Sequence, residues 1–209
     1  RNIASGNDNT GISPNGGSDS WVIQGNYFGL AATGVSAIPN ATISGAGALS
    51  IDQSSGTLIG GSAVGAANVI SGNFSFGIAP LQADNLVVEG NLIGTDYTGT
   101  TALSNGSSGI SFNNSNNVHI VNNIIGNNGW DGIYIGESED ALVVGNTIGS
   151  GSIGNESFGN GYSGIFIDNS QRAMIGGTDP SESNTIINST YQGVSVVGAS
   201  QGVAIIGNS

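Results

Sequence analysis

Any chemistry in this chain has to come from carboxylates and aromatic rings. Of 209 residues, 14 are Asp or Glu, two are Arg and one is His, while Lys and Cys are absent. Glycoside hydrolysis needs two carboxyl groups about 5–10 Å apart across a cleft. The densest acidic run, Glu137-Ser138-Glu139-Asp140, lacks the ligand spacing of a calcium loop. Asp96, Asp131 and Asp168 fall at different corners of the pattern described below and show no evident convergence. His119 lies between Val118 and Ile120, where strand alternation points it outward. These residues yield no catalytic group, metal site or cofactor site.

Two sets of side chains line up along the chain. Trp130, Tyr162 and Tyr191 each stand two positions before a Gly-Ile or Gly-Val pair, and such a column forms either a stacked aromatic edge or a strip for sugar rings. Asp140 and Arg172 each fall seven positions after the Ile of such a pair (140−133 and 172−165), which makes them an expected ion pair. That pair would be a surface one, and of little energetic consequence.

The elements that position these residues are read from a repeat. Gly-Ile/Val recurs at Gly11-Ile12, Gly77-Ile78, Gly109-Ile110, Gly132-Ile133, Gly164-Ile165 and Gly193-Val194, and Leu49-Ser50-Ile51 fills the long gap after the first. Coils measured on this ruler are uneven: the one from Ile110 to Ile133 is much shorter than those on either side. A second ruler, the strand ends at Gly90, Asn122, Gly145, Gly176 and Gly207, shortens at the same coil, from Asn122 to Gly145. Apolar residues within each repeat alternate, as in Ile133-Tyr134-Ile135, and 37 glycines disfavour long helices. Three short strands per turn, separated by Gly/Asn/Ser corners, predict an all-β chain. The expected architecture is a single parallel β-helix of about seven coils spanning 1–209 as one domain. The four antiparallel strands of a propeller blade do not fit between Ile110 and Ile133. Asn26, Asn91, Asn123, Asn146 and Asn208 follow equivalent strands, which predicts a buried asparagine ladder. Extra residues after Asn26 and Asn91 predict loops on one flank.

The phrases Asn68-Val69-Ile70-Ser71-Gly72-Asn73 and Gly90-Asn91-Leu92-Ile93-Gly94-Thr95-Asp96 resemble the right-handed parallel β-helix repeats of large secreted bacterial surface proteins. The resemblance covers nearly the whole chain and implies an architecture rather than an activity.

Net charge is −12 with only 8% charged residues, so the Lys/Arg cluster that nucleic acid requires is missing. No apolar run is long enough for membrane insertion. A low-charge Asn/Ser/Thr/Gly surface predicts an extracellular or cell-surface setting. Asn-x-Ser/Thr occurs at Asn40, Asn73, Asn105, Asn113, Asn155 and Asn188, as expected by chance in so Asn-rich a chain.

The chain opens on half a coil and closes on the complementary half, with no capping helix, which fits either a segment of a longer repeat array or subunits that stack head to tail; the second, head-to-tail self-association, is the one expected. Its edges would be Asn2, Ile3 and Ile12 at one end and Val203, Ile205 and Asn208 at the other. The function expected from these features is a non-enzymatic structural subunit of a surface fibre, filament or repetitive adhesin. The alternative is a carbohydrate-binding or polysaccharide-degrading module using the Trp130/Tyr162/Tyr191 strip.

Overall fold

In the computed structural model, which describes residues 1–42, 46–154 and 157–209, the chain winds as a right-handed parallel β-helix. Three parallel sheets run its length. The first, of seven strands, comprises Ile3–Ala4, Tyr27–Phe28, Val69–Ile70, Leu92–Ile93, Ile124–Ile125, Thr147–Ile148 and Thr185–Ile186. The second is broader and has six: Gly47–Asp52, Phe76–Leu81, Ile110–Asn113, Ile133–Gly136, Ile165–Asp168 and Val194–Val197. The third again has seven: Val22–Ile23, Leu58–Gly60, Val87–Glu89, His119–Val121, Leu142–Val144, Met174–Gly176 and Ala204–Ile206. Register in the broad sheet follows the Gly-Ile ruler, with Leu49, Ile78, Ile110, Ile133, Ile165 and Val194 paired in sequence and Ile12 bridged to Leu49.

Alternation decides which side chains enter the core. Ile110 and Phe112, Ile133 and Ile135, and Ile165 and Ile167 are fully buried and join one continuous hydrophobic cluster. Their neighbours Ser111, Tyr134 and Phe166 point outward. The parallel ladder satisfies the backbone groups that so thin a core would otherwise strand.

The three corners carry polar ladders. Between the third and first sheets, Asn2, Asn26, Asn68, Asn91, Asn123, Asn146, Asn184 and Asn208 are linked, each amide donating to Oδ1 of the next. The backbone N–H of each rung donates to that same oxygen, as Asn91 does to Asn123 at 2.9 Å. A second ladder, which the repeat analysis missed, links Asn7, Asn40, Asn73, Asn105, Asn128 and Asn160 between the first sheet and the broad one. Hydroxyls serve at the third corner: Ser115, Ser138 and Ser170 donate backbone N–H to Ser138, Ser170 and Ser200 Oγ. Net-favourable hydrogen bonds of this kind, each of about 1 kcal/mol, accumulate over every coil.

Of the glycosylation triplets, Asn40, Asn73 and Asn105 are buried ladder rungs and closed to modification. Asn188 is exposed, and Asn155 lies outside the described residues.

Loops leave the first sheet on one flank, as expected after Asn26 and Asn91. They fold back through the antiparallel bridges Leu30–Ala37 and Thr95–Ala102. A further excursion after Asn146 reaches over the short coil to the second loop, where Ser152 N–H donates to the Gly99 carbonyl at 2.8 Å. Asp96 braces that second loop. Burial alone would raise its pKa, but bonds from Thr98 Oγ1 and the Thr101 and Thr100 N–H groups hold it below the usual carboxylate range.

Candidate functional site

The outward face of the broad sheet changes character halfway along the solenoid. One outward column reads Ser50, Ala79, Ser111, Tyr134, Phe166, Ser195. Small side chains thus give way abruptly to two rings, Tyr134 and Phe166, stacked 5.8 Å apart at 9°. The step creates a trough of about 410 Å³ with a floor of Ser108, Ser111 and Asn113. Phe76 closes one side, and Trp130, Tyr134, Tyr162 and Phe166 form the other with Asp131 among them. Beyond Phe76 a smaller depression of about 290 Å³ continues over Ser50, Asp52, Ala79 and Leu81, sharing Phe76, Ser111 and Asn113 with the first. In the other direction Trp130 and Tyr162 lead on to Tyr191. The whole feature follows the solenoid axis across six strands, roughly 24 Å at the usual interstrand spacing.

The three aromatic residues singled out by spacing form a backbone-linked edge: Tyr162 N–H donates to the Trp130 carbonyl at 3.0 Å and Tyr191 N–H to the Tyr162 carbonyl at 3.1 Å. The Tyr162 and Tyr191 ring centroids are 4.5 Å apart. Trp130 is 63% exposed, a large apolar surface left facing water. Tyr134 and Phe166 complete the wall, Phe76 stands on the opposite side, and none of the three was singled out in the sequence. The signal for Tyr134 and Phe166 was the outward phase of alternation in strands whose register is set by Gly-Ile, whereas Phe76, two residues before buried Ile78, is in the inward phase and carried no such signal.

The carboxylates stay apart: Asp131 precedes the strand Ile133–Gly136, Asp168 pairs with Gly136 at the far end of that strand, and Asp96 lies in its loop. Gly136 leaves room for the Tyr134 ring, whose Oη donates to Asp168 Oδ2 at 3.4 Å. Asp131, just before Gly132, is buried and accepts the Ser163 N–H at 3.0 Å. Burial pushes its carboxyl above the ordinary carboxylate range, against the pull of that bond. Burial also raises the Tyr134 phenol, helped by the charge of Asp168 and then of Glu137 and Asp131. Both effects favour the protonated phenol, the form that donates to Asp168.

The remaining singled-out residues lie elsewhere. Arg172 makes a two-pronged contact with Asp140, Nε to Oδ1 at 2.7 Å and Nη2 to Oδ2 at 2.9 Å, and also reaches Glu139. Hydrogen bonding from Arg172 lowers the Asp140 pKa. His119 bonds Asn117 at 3.1 Å on the third sheet, away from the trough. Among the end residues, Asn2, Ile3 and Ile205 are exposed and Ile12, Val203 and Asn208 half-buried. Among the described residues, no cluster of three His or acidic side chains is placed to hold a metal ion.

No protein-family model matches the chain, and neither does any curated protein. Among solved structures, the periplasmic alginate epimerase AlgG is similar over 98% of this chain and 58% of its own, at 14% identity and a TM-score of 0.45. A double mutant of the same epimerase matches over 99% and 57%, at 14% identity and a TM-score of 0.47. The chain thus spans less than two thirds of the length of those structures. The likeness is one of fold. The expectation of a non-enzymatic fibre subunit is corrected here, and the filament and adhesin roles go with it. The two structures named above are those of an epimerase.

Proposed function

We propose that this chain is a polysaccharide-engaging β-helix module that lays a glycan along the trough of the broad sheet. The observation that carries the reading is one wall of rings, Trp130, Tyr134, Tyr162 and Phe166, facing a polar floor of Ser108, Ser111 and Asn113, with Asp131 at their junction. A sugar ring has an apolar C–H face and a rim of hydroxyls. Such a ring can stack on the wall while its hydroxyls bond the floor, the division of labour expected of a ligand groove. The open, extended form suits a chain of sugars better than a single one.

Asp131 is the carboxylate that lines the trough, next to a bound glycan. Residence among the secreted surface proteins that the repeats resemble would place the module where polysaccharides are met. Among the described residues no helix is long and apolar enough to cross a membrane.

The test is calorimetric titration with a panel of plant, algal and bacterial oligosaccharides, together with a reducing-end and product assay on the parent polymers. Binding that Trp130→Ala and Tyr134→Ala each weaken by tenfold or more is the expected result. A full panel without a ligand at millimolar concentration would sink the proposal.

A further inference from the structure

The charge of the trough restricts which glycans it can accept; this inference rests on the reading above and sharpens it. Asp131 is 3% exposed and lines the cavity. Its Oδ1 accepts the Ser163 N–H, while among the described residues no other side chain donates to its Oδ2. Among the described residues, Asp168 Oδ2 receives only the long bond from Tyr134. Asp52 adds a third carboxylate in the adjoining depression.

Neither cation of the chain is near. Arg172 is held by Glu139 and Asp140 at the corner leading to the third sheet. Arg1 donates to Tyr27 Oη at 2.6 Å with its guanidinium 4.6 Å from that ring, over the first sheet. A polyuronate or sulfated chain would therefore run over Asp131 in the trough and Asp52 in the adjoining depression, with Asp168 behind Tyr134 and no countercharge, in a groove whose aromatic wall displaces screening water. A hydroxyl, by contrast, supplies the donor that Asp131 lacks. We propose that the trough takes an uncharged, hydroxyl-rich polysaccharide and rejects polyuronates, with the unpaired oxygen of Asp131 accepting a hydroxyl of the bound sugar.

Matched oligosaccharides that differ only at C6 provide the test: mannan and galactan hexamers against their mannuronate and galacturonate counterparts, titrated at low salt with and without calcium. The neutral member of a pair should bind at least about tenfold more tightly. The gap should shrink as salt is raised and in Asp168→Asn, where one repulsive charge is gone. A uronate that binds as well as or better than its neutral partner, in either buffer, overturns the inference while leaving the glycan trough standing. Failure of every member to bind removes both.

Discussion

Among the described residues, Asn160 Nδ2 is buried without a partner because the next rung of its ladder is Ser189, whose short side chain leaves its own Oγ unpaired as well. The register is unambiguous, since Thr190 N–H donates to the Asn160 carbonyl as Gly161 N–H does to Asn128 one coil earlier. Ser189→Asn should extend the second ladder by a rung. A gain of about 1 kcal/mol, read as a rise in Tm of roughly 2–4 °C for a domain of this size, is the expected outcome of thermal unfolding. An unchanged or lower Tm would show that the last coil is not held in ladder geometry.

Asp131 opposes stability and binding to each other. Its carboxyl, raised by burial, costs stability whenever it is ionised. That cost is fully present above its folded pKa and is relieved as pH falls through that value towards the ordinary carboxylate range. Asp131→Asn keeps an acceptor for Ser163 N–H and should raise Tm at pH 7, with the advantage vanishing by about pH 4. The same change should weaken glycan binding. Paired melting curves and titrations across pH separate the two effects.

Tyr134 has two parts that can be removed separately. Tyr134→Phe keeps the stack on Phe166 and loses only the long bond to Asp168, so affinity should fall by a few fold at most. Tyr134→Ala removes the wall and should cost tenfold or more. Equal losses in the two variants would mean that the phenol, not the ring face, meets the sugar.

Most of the coil architecture was legible from residue spacing. The uneven Gly-Ile ruler, with its one short coil from Ile110 to Ile133, set the register of the broad sheet, and the structure pairs those residues in sequence. The second asparagine ladder escaped notice because its rungs stand in dissimilar neighbourhoods, Asn40 before Ala41, Asn73 before Phe74 and Asn105 before Gly106. Half of the trough was visible, as the spacing of Trp130, Tyr162 and Tyr191. The other half depends on lateral neighbours that only register reveals. Ser111 lies beside Tyr134 although a whole coil separates them along the chain, and the step between small and large side chains exists only across strands.

Loop anchoring gives a further prediction. Gly149 has φ +89°, and a Cβ there would collide with the Ile187 carbonyl of the next coil. Gly149→Ala must therefore strain the backbone and separate two coils at once, at a cost of several kcal/mol. Urea unfolding should show this loss. Gly154→Ala, also at positive φ but with open space around it, should be much milder.

The division between inward and outward positions has a consequence beyond this one ligand. Because Ile133, Ile135 and the ladder asparagines carry the winding, the column Ser50, Ala79, Ser111, Tyr134, Phe166, Ser195 can be rewritten with little penalty to folding. The broad sheet behaves as an interchangeable keyboard mounted on a rigid spool. Descendants of such a chain could retune recognition key by key and shift from one polymer to another while the spool stayed the same.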